Sequence, residues 1–167
     1  MSEDRSAAPA HALTQAVNFP LYVVTAAGDG EVSGCLVGFA TQSSIEPVRF
    51  LICISKVNHT FGVAERSASL ALHLLGSDQG AMASLFGETT GDTTDKFEKV
   101  AWSPGVTGAP VLAECAAWIE GSILSHHSAG DHEAFLVSVE DGGRGTHDGQ
   151  WTLKDATDFE PGHPAHS

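Results

Sequence analysis

The amino-acid sequence predicts a mainly β protein, an antiparallel barrel that is closed or nearly closed and carries a few short helices. Three observations support this prediction. Apolar runs of strand length are separated by turn residues, glycine is abundant at 18 of 167 residues, and strands do not alternate regularly with helices. The last observation argues against a doubly wound parallel sheet, because that fold requires the alternation.

Six segments have the residue pattern of β strands. Residues 19–27 and 32–39 are apolar and flank the turn Gly28-Asp29-Gly30, so they form a predicted hairpin. Residues 48–54 alternate, with apolar side chains on one face. The other predicted strands are 70–74, 115–125 and 133–140.

Three short helices are predicted between the strands. The first covers residues 60–67. The second covers residues 77–86 and begins with Ser77, whose hydroxyl is a favourable N-cap. The third covers residues 96–100 and follows the acidic and threonine segment 92–95, which is typical of a helix start.

The remaining organisation is simple. Residues 1–12 are predicted to form a flexible arm, because they are polar and rich in alanine, serine and proline. Residues 13–157 form one predicted domain. Residues 158–167 are predicted to be a loop-like tail.

Charge excludes some classes of partner. The chain has 21 acidic and 8 basic residues, for a net charge of -13. A nucleic-acid-binding protein usually presents a basic stripe, and none is visible, so we expect no nucleic-acid partner. No apolar run approaches the roughly 20 residues that span a bilayer, and the first residues lack an apolar signal core. We therefore expect a cytoplasmic protein without a membrane partner.

Cysteine and histidine placement argues against a disulfide or a metal centre. Cys35, Cys53 and Cys115 are odd in number and form no C-x-x-C pair. The first two lie in apolar runs, where a free cysteine is usually a small core residue. His126 and His127 are adjacent on a predicted strand, so they point to opposite faces. We expect no metal site.

A polar turn separates the third predicted strand from the first helix. It offers hydroxyl, ammonium, amide and imidazole groups from Ser55, Lys56, Asn58, His59 and Thr60. A phosphate needs several such donors, and the lysine is one of only 8 basic residues in the chain. From these residues alone, a phosphate site and an ordinary polar turn both remain open.

Two longer motifs carry a family resemblance. SGCLVGFATQSSIEPVRFLICISKVNHTF (33–61) contains a glycine-led run, a small polar and proline turn, a second strand and a Lys/Asn/Thr turn. AGDHEAFLVSVEDG (129–142) opens a late strand with Gly-Asp-His. With LALHLLGSDQGAMASLFG and DKFEKVAW between them, these motifs resemble the flavin reductase-like domain over about residues 15–142.

The resemblance implies a fold and an activity. The fold is a mainly antiparallel, six-stranded FMN-binding split barrel, which forms a homodimer in relatives. The activity is NAD(P)H-dependent reduction of FMN, or alternatively FAD, with the reduced flavin passed to a partner monooxygenase. Two alternatives on the same scaffold are a flavin- or haem-binding protein without turnover and a deazaflavin-dependent reductase.

The resemblance also implies site residues. Those placed along the flavin chain and ring are Leu36, Val37, Gly38, Gln42, Ser43 and Ser44. The polar turn, from Ser55 to Thr60, is implied to hold the phosphate. Phe86 and Phe97 are further implied cofactor contacts, and His132 is implied to be catalytic beside the nicotinamide. Many relatives carry small hydroxyl or amide residues where this chain has residues 36–39, so we expect backbone contacts there, which Gly38 permits.

Overall fold

The computed structural model describes residues 6–90 and 95–159. Strands dominate this part of the chain, joined by short helices and turns. The helices are α1 (Ala7–Ala16), α2 (His59–Glu65) and α3 (Gly80–Glu88), with single 3-10 turns at Lys96–Glu98 and Leu153–Ala156. The strands are β1 (Tyr22–Gly28), β2 (Glu31–Val37), β3 (Ala40–Ile45), β4 (Val48–Ser55), β5 (Ser69–Leu74), β6 (Trp102–Pro104), β7 (Pro110–Leu112), β8 (Ala117–Ser128), β9 (His132–Val137) and β10 (Asp141–Arg144).

One antiparallel sheet organises the domain. Its strand order is β2-β1-β5-β8-β9-β4-β3, and β10 pairs with one end of β8. The strands β6 and β7 form a separate hairpin. All six predicted strands are present, as β1, β2, β4, β5, β8 and β9, so the mainly β, antiparallel prediction is confirmed.

The prediction missed β3, which it treated as a turn. The strand pairs with β4 from Ala40 opposite Ile52 to Ile45 opposite Val48, with a register shift between Gln42 and Ser44. Its side chains are mostly exposed, because it lies at the end of the sheet with a partner on one side. A strand of this kind needs no apolar face, so its polar sequence gives no alternating signal.

The helix starts differ from prediction in two places. Asn58 caps α2, because its side-chain oxygen accepts a hydrogen bond from the Thr60 amide at 2.9 Å. Ser77 is not the cap of α3, which starts three residues later than expected, at Gly80. The Ser77 amide and hydroxyl instead donate to the carbonyl of Asp148. The N-cap prediction for Ser77 is therefore wrong.

Two other predicted segments are partly described. The third predicted helix is a single 3-10 turn, Lys96–Glu98, and the Asp95 carboxylate accepts from the Phe97 amide as a cap. Residues 91–94, which include most of its expected start, lie outside the described residues. The predicted arm overlaps α1, which begins at Ala7 and continues to Ala16, beyond the expected end of the arm at residue 12; all of its side chains are exposed.

Apolar side chains form two buried clusters. The inner cluster fills the space enclosed by the curled sheet, and its members come from β1, β2, β4, β5, β9 and α2; they include Val24, Cys35, Val37, Ile52, Ile54, Val63, Leu72 and Phe135. The outer cluster lies between the sheet, α3 and the C-terminal segment; it includes Leu21, Val23, Leu75, Phe86, Phe97, Leu112 and Trp151. The sheet is therefore covered on both faces over part of its area.

The C-terminal strap, defined as residues 145–159, runs across the ends of β1 and β5. The Leu21 amide donates to the Trp151 carbonyl, and the Trp151 amide donates to the Leu75 carbonyl, each at 2.9 Å. The Leu153 amide donates to the Phe19 carbonyl at 3.0 Å. The strap thus fixes the segment that leads into β1. Of the predicted tail, residues 160–167 lie outside the described residues.

Candidate functional site

An open cavity of about 690 Å³ lies beside β3. Its walls come from the segment before β1, the β2–β3 connection and the neighbouring strand β4. The lining residues are Phe19, Pro20, Tyr22, Gly38, Phe39, Ala40, Thr41, Gln42, Phe50, Leu51 and Cys53. The aromatic side chains at positions 19, 22, 39 and 50 make this wall suitable for a flat ring.

The first predicted binding segment reaches this cavity in part. Gly38 and Gln42 line it. Val37 is buried in the inner cluster, and Leu36 packs against the outer cluster, so neither side chain faces the cavity. Ser43 and Ser44 follow on β3 outside the lining. There the side-chain amide of Gln42 donates a hydrogen bond to the Ser44 carbonyl at 3.0 Å.

Glycine at position 38 shapes the wall. A Cβ atom built there would overlap the Phe19 ring, so only a glycine lets that ring lie against the backbone. The neighbouring Phe39 carbonyl accepts a hydrogen bond from the Cys53 amide at 2.8 Å. Cys53 was predicted to be a core residue, but it is partly exposed and lines the cavity. The other two cysteines are buried, and all three are free.

The polar turn divides into two groups of side chains. On one side, Lys56 Nζ donates to Ser128 Oγ at 2.5 Å and lies 4.0 Å from a carboxylate oxygen of Glu133. Ser55 pairs with His132 across β4 and β9, so this group continues directly into the Gly-Asp-His turn.

On the other side, His59 and Thr60 point elsewhere. His59 Nε2 lies 2.5 Å from a carboxylate oxygen of Glu31. This hydrogen bond, with a second from Arg66, lowers the pKa of Glu31. Thr60 is buried, and its hydroxyl is 2.8 Å from that of Ser33. The side chains of the five residues predicted to bind phosphate therefore do not meet at one point in this structure.

The predicted catalytic residue lies beside the cavity wall. His132 begins β9 after Gly130, whose φ of +108° is a glycine conformation. Its Nδ1 lies 2.7 Å from a carboxylate oxygen of Asp131, and its ring centroid is 5.2 Å from that of Phe39. The Lys56 amide donates to the Asp131 carbonyl at 2.9 Å. This arrangement places an oriented imidazole next to the aromatic wall.

The two phenylalanines predicted to contact the cofactor lie in the outer cluster. Phe86 is 1% exposed and Phe97 is 7% exposed, and their rings meet edge to face at 5.8 Å. Neither lines the cavity. In this structure both rings pack in the outer cluster, and their contact with a cofactor stays a prediction.

Lys96 is a buried residue that the sequence analysis missed. Its Nζ donates to the carbonyls of Gly34 and Phe86 at 3.1 and 3.2 Å and sits 5.5 Å from the Phe86 ring centroid. Burial lowers its pKa. The residue joins the 3-10 turn to β2 and α3, behind the wall that Gly38 belongs to.

No metal centre is found in residues 6–90 and 95–159, since no three histidine, cysteine or acidic side chains are grouped to hold an ion there. His126 Nδ1 is 3.0 Å from a Glu133 oxygen, and its ring stacks on Phe135. Over the same ranges, no helix has the length and apolarity that crossing a bilayer requires.

Comparison with known proteins decides the family. The model described as the flavin reductase like domain matches residues 14–157. The chain belongs to this family. The reductase subunit HsaB of a flavin-dependent monooxygenase from Mycobacterium tuberculosis is 32% identical over 108 residues, which are 62% of this chain and 56% of the relative. FMN reductase (NADH) RutF 1 from Methylorubrum extorquens is 27% identical over 120 residues, 72% of this chain and 59% of the relative.

This flavin reductase-like chain therefore spans less than two thirds of the length of those relatives. Solved structures agree on the fold. The NADH:FAD oxidoreductase SgcE6 of Streptomyces globisporus superposes with a TM-score of 0.79 at 24% identity, covering 91% of this chain and 90% of that one. A flavin reductase domain protein from Arthrobacter sp. FB24 gives 0.80 at 19% identity, covering 94% and 96%. The split-barrel prediction is confirmed.

Proposed function

We propose that this protein is an NAD(P)H-dependent flavin reductase, which takes FMN or FAD as its flavin. The observation that carries the proposal is the aromatic cavity beside β3, with the oriented imidazole of His132 at its wall. A bound flavin would accept hydride from a reduced nicotinamide, and the chain would bind and orient the two rings.

The donor set of the cavity fits an isoalloxazine ring. The ring has apolar faces and a polar pyrimidine edge. Tyr22, Phe39 and Phe50 offer apolar surface to the faces. Among the described residues, β3 pairs with β4 alone, so the other edge of its backbone has amide and carbonyl groups outside the strand pairing that can bond the polar edge of the ring.

The phosphate end of the flavin is proposed to bind near Lys56. This ammonium group is about one third exposed, and it lies beside the Ser128 hydroxyl. A phosphate would replace the neutral hydroxyl acceptor with anionic oxygens, which bond an ammonium group more strongly. Ser55 and Asn58 lie in the same turn and are the next candidates for contact.

His132 is proposed to act at the nicotinamide side. The Asp131 carboxylate accepts a hydrogen bond from Nδ1–H of His132, which leaves Nε2 as the nitrogen that faces away from the carboxylate. In the neutral ring Nε2 is an acceptor, and it donates a hydrogen bond to the ligand only when the imidazole is protonated. The contact with Phe39 keeps the ring in place beside the cavity.

Assembly and partner are also proposals. Val48, Leu124 and Val139 are apolar and between 36% and 48% exposed, and we propose that a homodimer buries such side chains. The relative HsaB is named the reductase subunit of a flavin-dependent monooxygenase, and we propose that this chain likewise supplies reduced flavin to a monooxygenase. We place this activity in the cytoplasm.

The test begins with the purified protein. We expect NADH or NADPH oxidation to depend on added FMN or FAD, and the visible flavin spectrum to shift on binding. Flavin binding without nicotinamide oxidation would support the non-catalytic alternative instead. Turnover with a deazaflavin but not with FMN or FAD would support the alternative of a deazaflavin-dependent reductase. Absence of binding and of turnover with every flavin would overturn the proposal.

A further inference from the structure

Phe39 is an aromatic residue that the fold leaves in water. It is 57% exposed, although it lines the cavity. Its ring centroid lies 6.0 Å from that of Phe19 and 5.2 Å from that of His132, each pair tilted by 54°. The ring is thus supported on two sides and open on another.

Several contacts hold the ring in this place. The Phe39 carbonyl is fixed by the Cys53 amide. Gly38 lets the Phe19 ring approach the backbone beside it, and the strap holds the Phe19 carbonyl through Leu153. The position of an exposed aromatic side chain is therefore determined by three separate segments of the chain.

An aromatic side chain held open beside a cavity is suited to stacking. Apolar surface left in water is unfavourable, and a flat ring placed over it removes that surface from water. Offset or tilted aromatic contacts add further attraction. An aliphatic side chain of similar size provides apolar area but no such contact.

We propose that Phe39 is the platform on which the isoalloxazine ring of the flavin stacks, and hence the residue that makes recognition depend on the ring. This inference rests on the proposed function and goes one step further, because only backbone contacts were expected at position 39. It assigns the affinity for the isoalloxazine ring to the Phe39 side chain. The affinity for the flavin phosphate is left to Lys56 and its neighbours.

The test uses lumiflavin, which has the isoalloxazine ring but neither the ribityl chain nor the phosphate. Dissociation constants for lumiflavin, riboflavin and FMN are measured by flavin fluorescence in the full-length protein. We expect Phe39→Ala to weaken all three by the same factor, about tenfold. Phe39→Leu keeps apolar area but loses the aromatic contact, so it should weaken binding of all three by a smaller factor than Phe39→Ala. Phe39→Trp should bind as tightly as the natural chain.

Ile45→Ala is the matched control. Ile45 ends β3, the strand that begins directly after Phe39, and it is 83% exposed. It lies outside the cavity lining, so its loss should leave all three constants unchanged. Thermal unfolding of each variant checks that the fold is kept. Unchanged lumiflavin binding in a folded Phe39→Ala variant would overturn the proposal, as would natural affinity in Phe39→Leu.

The result is separable from the proposed function. Binding is measured without nicotinamide, so it does not require turnover. A protein that reduces FMN with NADH but binds lumiflavin independently of position 39 keeps the proposed function and loses this inference. A rise in the KM for NADH in Phe39→Ala, with flavin affinity unchanged, assigns the ring to the nicotinamide and also overturns the inference.

Discussion

The amide of Leu112 donates a hydrogen bond to Nε2 of the fully buried His73 at 3.0 Å. An acceptor nitrogen carries no proton, so the proton is on Nδ1, which donates to the Val23 carbonyl at 2.9 Å. The neutral imidazole therefore joins β1, β5 and the β6–β7 hairpin. Burial lowers the pKa of His73 from 6.5 to about 4.

This pKa predicts loss of stability in mild acid. The folded value lies below the unfolded one, so the contribution of His73 is fully present above about pH 6.5 and is lost as the pH falls toward 4. The shift corresponds to roughly 3 kcal/mol of unfolding free energy. Urea denaturation at several pH values measures it. Glutamine cannot titrate, so His73→Gln should lack this part of the pH dependence of the unfolding free energy. The same pH dependence in both proteins would contradict the prediction.

Glu120 is predicted to be a strong stability determinant. Its fully buried carboxylate accepts hydrogen bonds from the Val106 and Thr107 amides at 2.8 and 3.1 Å, and from the Thr107 hydroxyl at 2.5 Å. In Glu120→Gln the side-chain NH₂ group, itself a donor, faces these donors. We expect the free energy of unfolding to fall by about 2–3 kcal/mol. The control is Glu140→Gln, the same change at an exposed position, which should cost much less in urea denaturation.

Lys56→Ala is expected to separate phosphate from ring recognition. Removing the ammonium group should weaken FMN binding by about tenfold, the order of one charge-assisted hydrogen bond, and leave riboflavin binding nearly unchanged. Fluorescence titration measures both. Lys154→Ala removes an exposed lysine on the strap and serves as the control. Equal losses for FMN and riboflavin would remove Lys56 from the phosphate site.

His132→Ala is expected to reduce turnover more than binding. If the imidazole donates to the ligand during reduction, kcat should fall by about a hundredfold, while the flavin dissociation constant changes little. Stopped-flow reduction and fluorescence titration report the two quantities. His127→Ala, on the neighbouring strand β8, is the control. A rate equal to that of the natural chain would leave His132 as a turn residue.

Gly38→Ala is predicted to damage the cavity wall. The added methyl group would overlap the Phe19 ring, so we expect about 1–3 kcal/mol of destabilisation and weaker flavin binding. Gly62→Ala is the contrasting control, because a Cβ there meets nothing within 4 Å and α2 favours alanine over glycine. It should be neutral or stabilising in thermal unfolding.

The sequence allowed the six principal strands to be predicted because each buries at least one face. Such strands show apolar alternation or a continuous apolar run. The strand β3 was missed because it is a polar edge strand, and β10 because its sequence, Asp-Gly-Gly-Arg, has low strand propensity. Both strands are defined by their partners rather than by their own residues.

Part of the site was beyond sequence reasoning for a similar reason. Gly38, Gln42 and His132 were predicted and lie at or beside the cavity. Phe39 was seen as a departure from relatives, but its exposure depends on supports from distant segments. The burial of Glu120 depends on the loop between β6 and β7, which no local pattern connects to β8.

The strap has a consequence for the order of events during translation. Asn18 and Thr152, which bond through their side chains, are 134 positions apart, and Phe19 and Leu21 likewise receive backbone partners from the strap. A nascent chain on the ribosome therefore makes one wall of the cavity well before the strap that supports this wall. Until the strap emerges, Phe19 lacks its anchor, so we expect ligand binding to begin only after residues 145–159 have left the ribosome.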